Sequence, residues 1–349
     1  MSPRLLTFDD LPASFADVDD LEEFMSRPTA ETVAELAALE GDVIVLGVAG
    51  KMGVGLATLV KRAAPGKRVV GVARFSEEGV QQRLEDAGVE TIVADLLDPD
   101  AVEALPKLPN VLYMAGLKFD GSGREDLLWA MNTLVPSYVG RAFRNSRIVA
   151  LSTIHVYPWS DPRQGGVDEE TPPTARPGEY ANSVVGRERV FQYLSRRHGT
   201  PGRIVRFVYA IDMRYGVMQE VATWVRDGVP IPLATGNINV QWQGDAINAF
   251  ARLLTRVETP TTPINIGGPE NISIRRLAQT FGRLLGVEPV FEGTESDLAL
   301  LVNCDRALAE LGNPVVPVER MTAWVADWVA RDQPTYGKPS KFQVRNGIF

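Results

Sequence analysis

The chain has 349 residues, of which 45% are hydrophobic and 23% charged, and a formal net charge of −8 at pH 7. This length predicts one large or two modest domains. The negative charge argues against broad nucleic-acid binding, which needs a basic face. Neither a membrane-spanning apolar run nor a secretory signal is evident. The lone cysteine, Cys304, excludes an internal disulfide. We therefore expect a cytoplasmic protein with no metal, membrane or nucleic-acid partner.

Residues 1–40 are predicted to form a helical extension. The acidic stretch "DDLPASFADVDDLEE" is expected to stay solvated. In "SRPTAETVAELAALEGD", Thr29 is a suitable helix N-cap and Gly41 a helix stop.

Between residues 41 and 208, short β-branched runs alternate with stretches of helical period. Continuous apolar strands that alternate with helices predict an α/β fold, a Rossmann-like doubly wound parallel sheet. Residues 209–349 are predicted to form a smaller C-terminal α/β region that binds substrate, and the irregular stretch 158–179 a lid loop. The predicted strands are 42–47, 68–73, 90–95, 110–116, 147–152 and 203–208, and the main predicted helices are 51–64, 77–87, 124–143, 179–197, 217–228, 245–257, 273–285 and 318–331.

The stretch "VIVLGVAGKMGVG" places Gly47, Gly50 and Gly53 directly after the first strand, where they open a helix. Glycines there permit a tight turn and let a pyrophosphate approach the helix N-terminus. In a strand–loop–helix context, this spacing predicts dinucleotide binding.

The end of the second strand bears on which dinucleotide binds. NAD-binding units usually carry an acidic residue there, whereas this chain has Ala73 followed by Arg74. A guanidinium can bind a 2′-phosphate, and Lys51 adds positive charge in the loop. NADP is therefore favoured over NAD, although Arg74 is also compatible with a solvated surface charge.

Several motifs together resemble the extended short-chain dehydrogenase/reductase family, the NAD(P)-dependent epimerases and dehydratases that act mainly on sugars. Besides the glycine loop, they are "ADLLDPDAVEAL" (94–105), "YMAG" (113–116), Asn132, "STIHVY" (152–157) and "EYANSVVGRE" (179–188). The resemblance covers residues 42–331 and implies that fold. The cofactor contacts that we predict are Gly47, Gly50, Lys51, Met52, Gly53, Arg74, Asp95, Leu96, Ala115, Gly116, Lys118 and Tyr180.

The resemblance also implies catalytic roles. Thr153 would hydrogen-bond the substrate oxygen, and Tyr180 would exchange its proton as hydride moves. Family members keep a lysine four residues after this tyrosine, but this chain has Val184. Without a nearby cation, a tyrosine keeps a pKa of about 10 and is a poor base.

Three interpretations of Val184 stay open. Another cation replaces the lysine, either Lys118 or Arg187. Alternatively, a different residue moves the proton, or the site binds nucleotide without turnover.

His155 is the candidate for a different proton carrier. In the dehydratases of this family, the matching segment carries two carboxylates, and His155 stands at the position of the second. Histidine titrates near neutral pH and can both accept and donate a proton. A buried structural histidine is the alternative.

The predicted substrate contacts are Thr153, His155, Tyr157, Tyr209 and Arg214. Tyr209 stands where nucleotide-sugar enzymes of the family keep an asparagine, and the stretch "INVQWQGDA" (238–246) keeps Asp245 but has no arginine before it. A diphosphate would be held poorly without cations, which favours a sugar, polyol or sugar acid. Helices 124–143 and 179–197 correspond to the family's dimer interface, so we expect a homodimer.

These observations predict an NAD(P)-dependent oxidoreductase or epimerase/dehydratase that acts by reversible hydride transfer. The alternative is a dinucleotide-binding sensor or scaffold that has lost turnover together with the lysine.

Overall fold

A parallel sheet is the centre of the fold. The computed structural model describes residues 3–118, 123–174 and 177–345. Its strands are β1 (Val43–Leu46), β2 (Val69–Ala73), β3 (Glu90–Val93), β4 (Asn110–Tyr113), β5 (Arg147–Thr153), β6 (Gly202–Phe207), β7 (Tyr209–Ile211), β8 (Ile231–Pro232), β9 (Asn237–Ile238), β10 (Val240–Trp242), β11 (Thr262–Ile266), β12 (Ile272–Ser273) and β13 (Phe291–Glu292). Seven of them form one sheet, in the order β11-β6-β5-β4-β1-β2-β3, with every pairing parallel.

Helices cover both faces of this sheet and also form a second core beyond it. They are α1 (Val18–Met25), α2 (Ala30–Ala38), α3 (Gly53–Ala63), α4 (Val80–Asp86), α5 (Pro99–Ala104), α6 (Glu125–Trp129), α7 (Val135–Ala142), α8 (Glu179–His198), α9 (Val217–Arg226), α10 (Gln243–Arg252), α11 (Ile274–Leu285), α12 (Asp305–Leu311) and α13 (Val318–Ala330). In β1, Val43 and Val45 face the core under α3 and α10, whereas Ile44 and Leu46 face the core under α5 and α7. This arrangement confirms the predicted doubly wound α/β class. In the described ranges, no helix is long and apolar enough to cross a membrane.

The strand order reverses between β1 and β4. The chain moves from β1 to β2 and β3 on one side, and then returns to β4, β5, β6 and β11 on the other. Leu46 pairs with both Val72 and Tyr113, so these strands end at one level. Ligands of such sheets bind in the crevice at this switch point.

A second core lies beyond the sheet. Its buried side chains come from α9, α11 and α13 and from the parallel strand pair β7 and β10. The chain after residue 208 does not lie in this core alone, because β11 pairs with β6 in the central sheet and α10 packs against it. The domain boundaries at residues 40 and 208 stay predictions.

The lid loop predicted at 158–179 is tied to the second region. Isolated β-bridges join Ser160 to Ala299 and Val167 to Val302. Residues 175 and 176 of this loop lie outside the described ranges. Its role as a lid stays a prediction.

The prediction that the acidic stretch 9–23 is solvated is wrong for Phe15 and Leu21, which are buried together with the adjoining Phe24 and Met25. Phe15 and Phe24 are buried against Trp324, with ring centroids 4.9 and 5.6 Å from the indole. Leu21, Phe24 and Met25 lie on one face of α1 and are all buried. The spacing of these residues gives α1 an apolar face between its acidic residues.

The polar face of α1 forms ion pairs with other parts of the chain. Glu22 forms ion pairs with Arg83 at 3.1 Å and with Arg214 at 2.6 Å. The following helix, α2, begins as predicted, because the Thr29 hydroxyl accepts a hydrogen bond from the N–H of Thr32. The N-terminal extension therefore joins the sheet domain to the second region.

A buried ion pair joins β6 to α8. Arg206 and Glu188 are each 1% exposed, and the guanidinium donates to both carboxylate oxygens, at 3.1 and 2.8 Å. The Ser152 hydroxyl donates to the same carboxylate at 2.6 Å. The pair therefore holds β5, β6 and α8 in one arrangement.

We expect Glu188→Gln to lower the free energy of unfolding by about 3–5 kcal/mol, because it leaves the Arg206 charge buried without its counter-ion. Urea denaturation followed by circular dichroism measures the loss. Arg68→Gln is the matched control, since the Arg68–Glu90 pair has side chains 44% and 47% exposed and should contribute about 0–1 kcal/mol. Equal losses in the two variants would contradict this interpretation.

Candidate cofactor and active site

The glycine loop lies at the switch point, directly after β1. Gly47 has a φ of +86°, and a Cβ there would lie 2.7 Å from the backbone of Ala115. A Cβ on Gly53 would overlap the carbonyl oxygen of Val48. Close backbone packing therefore requires both glycines.

Gly50 faces open space instead. Within 4 Å of a Cβ at Gly50 there would be only the carbonyl oxygen of Gly47, at 3.5 Å. Met52 precedes α3, and no side chain in the described parts of the protein caps the first turn of this helix. The open backbone and the uncapped helix N-terminus form a cradle that fits a pyrophosphate.

The residues predicted to hold the adenosine half of the cofactor follow the next two strands. Arg74 and Asp95 are both exposed, at the ends of β2 and β3. Asp95 Oδ1 accepts a hydrogen bond from the N–H of Leu97 at 3.0 Å, and Leu96 is buried. Because β1, β2 and β3 are parallel neighbours, these residues share the sheet edge with the glycine loop.

A π-helical turn between α6 and α7 places Asn132 beside the end of β4. Its amide accepts from the N–H of Leu117 at 3.1 Å and donates to the carbonyl oxygen of Leu117 at 3.0 Å. It also donates to the Ser183 hydroxyl at 2.9 Å. Asn132 thereby fixes the segment with Ala115 and Gly116 against α8.

A cavity of about 340 Å³ opens between the glycine loop, the end of β5 and the second region. Its volume is at the lower end for small-molecule sites. The sequence-predicted residues in its wall are Gly50, Lys51, Met52, Gly53, Lys118, Thr153, Tyr180 and Tyr209. The structure therefore brings the cofactor loop and the predicted Thr–Tyr pair to one cavity.

Tyr180 and Thr153 are hydrogen-bonded to each other at the wall of this cavity. Burial raises the pKa of Tyr180 above its ordinary value, and the Arg187 charge and the Thr153 hydrogen bond only partly offset this effect. Tyr180 therefore keeps its proton at neutral pH.

Val184 is fully buried in the apolar core, so this position supplies no charge. Arg187, nearly one turn further along α8, donates to the carbonyl oxygen of Leu151 at 2.8 Å and also to Asn132 Oδ1. Its guanidinium packs against the backbone of Gly116. A positive charge is thus held beneath the end of β4, where the resemblance places cofactor contacts.

Lys118 is the second cation near Tyr180. Its Nζ lies 6.0 Å from the centroid of the Tyr180 ring. Of the two cations predicted to replace the lysine, the charge of Arg187 acts on the pKa of Tyr180, and Lys118 lies in the cavity wall.

His155 lies behind the cavity wall. It is 6% exposed, in the 3₁₀ turn that follows β5, and its ring meets Tyr180 and Tyr209 edge to face at 5.9 and 6.4 Å. Both tyrosines lie between His155 and the cavity. This position does not support the predicted direct contact with substrate, but it allows His155 to act through Tyr180.

Two other residues predicted to contact substrate, Tyr157 and Arg214, are bound by side chains of the protein itself. Tyr157 is fully buried, donates to Asn265 Oδ1 at 2.8 Å and is not among the residues that line the cavity, so this position does not support the predicted contact with substrate. Arg214 is held by Asp212 at 2.8 Å and by Glu22 at 2.6 Å, so its charge is already neutralised by carboxylates of the chain.

Sequence reasoning misses the part that residues 331–345, the C-terminal tail, take in the cavity wall. Ser340 lines the cavity, and its N–H donates to Glu220 Oε2 at 3.2 Å. The N–H of Tyr336 donates to the carbonyl oxygen of Arg214 at 3.0 Å. No local pattern signals these long-range contacts. In the described ranges, no group of His, Cys, Asp and Glu side chains has the arrangement of a metal site.

Solved structures with the same fold include several nucleotide-sugar enzymes. The UDP-glucuronic acid 4-epimerase of Bacillus cereus, in complex with UDP-glucuronic acid and NAD, has a TM-score of 0.68 and 18% identity over 83% of this chain and 99% of that one. The UDP-glucose 4-epimerase of Thermus thermophilus, in complex with NAD, has a TM-score of 0.67 and 21% identity over 82% and 98%. The dTDP-glucose 4,6-dehydratase of Streptomyces venezuelae has a TM-score of 0.70 and 19% identity over 83% and 97%.

No curated protein sequence matches the chain. The model of the NAD dependent epimerase/dehydratase family matches residues 43–267, which run from β1 to the end of β11 and include the glycine loop, Thr153 and Tyr180. The chain therefore belongs to the NAD-dependent epimerase/dehydratase family.

Proposed function

We propose that this protein is an enzyme that binds NAD(P) at the carboxyl edge of the sheet and transfers hydride reversibly at a carbon of a sugar, a polyol or a sugar acid. Epimerisation or elimination would start from the keto form. The observation that carries this proposal is the hydrogen-bonded pair of Thr153 and Tyr180 in a cavity that the glycine loop also lines.

When bound, NAD(P) supplies or accepts the hydride. Thr153 and Tyr180 would both hydrogen-bond the substrate oxygen. Because burial raises its pKa, Tyr180 is a proton donor at neutral pH. As hydride reaches a carbonyl carbon, Tyr180 would give its proton to the oxygen, and the charge of Arg187 would stabilise the resulting tyrosinate.

His155 would act as a positioning residue in this arrangement. Its edge-to-face contacts with Tyr180 and Tyr209 limit the orientations of the two phenol rings that border the cavity.

The size of the cavity supports a small substrate. The nicotinamide ring and the substrate would share about 340 Å³. Tyr209 occupies the place where the resemblance expects a diphosphate-binding asparagine. Both observations favour a monosaccharide-sized molecule over a nucleotide sugar.

We also propose a homodimer built through α6, α7 and α8. Three large apolar side chains on these helices and the turn between them are exposed: Trp129 at 36%, Leu134 at 48% and Tyr193 at 58%. Large apolar side chains that stay exposed on helices packed against one another are typical of an interface.

We expect Tyr180→Phe to lower kcat about 10²–10⁴-fold, because the proton donor is lost, while the affinity for the cofactor is kept. The assay is reduction of a panel of keto sugars with NADH and NADPH, and cofactor binding is measured by calorimetry. Tyr193→Phe, on the exposed side of the same helix, is the matched control and should keep its activity. If the wild-type protein binds cofactor but reduces and oxidises no member of the panel, the non-catalytic sensor becomes the better explanation.

The proposed preference for NADP depends on Arg74. We expect Arg74→Ala to raise the Kd for NADP⁺ about tenfold or more, since charge-assisted hydrogen bonds to the 2′-phosphate are lost. The Kd for NAD⁺ should change little. Arg141→Ala, on α7, is a control for loss of a positive charge elsewhere. Tighter binding of NAD⁺ than of NADP⁺ by the wild-type protein would show that the preference is wrong.

Gly47→Ala tests the cradle itself. Alanine at position 47 would have a strained φ of +86°, and its Cβ would collide with the backbone of Ala115. We therefore expect a loss of both stability and cofactor affinity. Gly79→Ala has a similar φ of +78° but open space around the Cβ, and should lose only the backbone contribution of about 1–2 kcal/mol. Thermal unfolding with and without NADP⁺ compares the two variants. Equal effects would argue against close packing between the glycine loop and β4.

A further inference from the structure

The C-terminal tail contains an exposed segment that is held at both ends. Residues 334–339, which we call the tail segment, are all exposed and form neither helix nor strand. On the near side, the Trp328 indole donates to the carbonyl oxygen of Pro334 at 3.0 Å. On the far side, Phe342 is 2% exposed, and its ring lies 5.8 Å from that of Trp224. A segment with few buried contacts between two anchors is of the kind that opens locally.

The tail segment borders two cavities that share the glycine loop. The larger cavity, of about 500 Å³, is lined by Gly50 and Lys51 and, on the tail, by Tyr336. The active-site cavity of about 340 Å³ is lined by the same two loop residues and by Ser340, directly after the tail segment. Because a dinucleotide binds along the glycine loop, a bound cofactor would lie between this loop and the tail segment.

Tyr336 holds the middle of the tail segment in place. Its N–H donates to the carbonyl oxygen of Arg214 at 3.0 Å. The centroid of its ring lies 4.8 Å from Arg214 Cζ and 5.8 Å from Lys51 Nζ. Over the described part of the chain, residues 335–339 have no other hydrogen bond. Closure of the tail segment therefore depends on the side chain and backbone of one residue.

Arg214 gives this contact a fixed position. It is 7% exposed, and its guanidinium forms ion pairs with Asp212 at 2.8 Å and with Glu22 at 2.6 Å. A cation–π contact with an exposed ring such as that of Tyr336, which is 37% exposed, contributes little free energy. The contact is therefore well placed but weak, as a latch that opens during each binding event requires.

The opposite wall of the larger cavity cannot open in the same way. It is formed in part by α1, through Glu22 and Met25. Met25 belongs to the core of the second region together with Leu21 and Phe24, and all three are at most 3% exposed. Moving α1 would expose this apolar surface to water, at a large cost in free energy. The tail segment is thus the movable wall of the cavity.

We propose that the tail segment is a lid over the bound cofactor, with Tyr336 as its latch. The inference rests on the proposed function, because it takes NAD(P) to bind along the glycine loop. The latch contacts are all made within the chain, so they form with and without cofactor, and both entry and release require the lid to open. The family model ends at residue 267, so the lid belongs to this chain's own tail and not to the shared core.

The first test follows binding and release of NADH and NADPH by the full-length protein with stopped-flow fluorescence. We expect Tyr336→Ala to raise the association and dissociation rate constants by the same factor, about threefold to tenfold, because loss of the ring contacts lets the lid open more often. The Kd should change little. Tyr336→Phe keeps the ring and is the matched control, with rate constants close to those of the wild-type protein.

Each other result of this test counts against the lid. If Tyr336→Ala raises only the dissociation rate constant, and with it the Kd, Tyr336 contacts the cofactor directly. If neither rate constant changes, the tail segment is a fixed wall. A wild-type protein that binds neither NADH nor NADPH would overturn the lid and the proposed function together, whereas binding with unchanged rates in Tyr336→Ala would overturn the lid alone.

Proteolysis gives a second measurement. Chymotrypsin cleaves after aromatic residues, and cleavage between Tyr336 and Gly337 requires the open lid, so its rate follows the open population. A cofactor beneath the lid adds contacts to the closed form, so saturating NADP⁺ or NAD⁺ should slow this cleavage about threefold or more. Phe8, which is 66% exposed and outside any helix or strand, is the internal control and should be cleaved at an unchanged rate. Equal slowing at both sites, or none at Tyr336, would contradict the lid.

Discussion

The buried ion pair between Arg206 and Glu188 is the interaction on which the geometry of the site depends. Both side chains are fully enclosed, so the pair must form if either charge is to leave water. Residues 180, 184, 187 and 188 share one side of α8, by helical spacing. Fixing Glu188 against β6 therefore also fixes the direction of Tyr180 and Arg187. Because Ser152 binds the same carboxylate, the end of β5 with Thr153 is held in the same arrangement.

Val184 supplies no charge at the position where the family keeps a lysine, whereas Arg187, on the same side of α8, carries one. Arg187 lies three residues further along α8, a rise of about 4.5 Å. Its guanidinium donates to Asn132, beside the end of β4, and to the carbonyl oxygen of Leu151 in β5. From there, its charge lowers the pKa of Tyr180 less than burial raises it. The consequence is chemical: a tyrosine that keeps its proton suits donation to a carbonyl oxygen better than removal of a proton from an alcohol.

The sequence predicted what depends on local pattern. Alternating apolar strands and helices, with Gly47 after the first strand, were sufficient for the sheet and the cofactor loop, because each feature spans a few residues. Contacts between distant segments were not predictable in this way. Phe15 packs against Trp324, and Tyr157 hydrogen-bonds Asn265; in each case the partner is more than a hundred residues away. The position of His155 behind Tyr180 is likewise set by tertiary packing, which a motif cannot report.

The segments outside the family-matched core contact the second region and reach the wall of the cavity. Glu22, before that core, pairs with Arg214, and Tyr336, after it, hydrogen-bonds the backbone of the same arginine. Ser340 then enters the cavity wall. Both ends of the chain thus converge on one stretch of the second region, and they also reach the glycine loop, where Met25, Gly50 and Lys338 line one cavity. The family-matched core therefore accounts for only part of the wall around the glycine loop, and the rest has to be derived from this chain's own N-terminal extension and C-terminal tail.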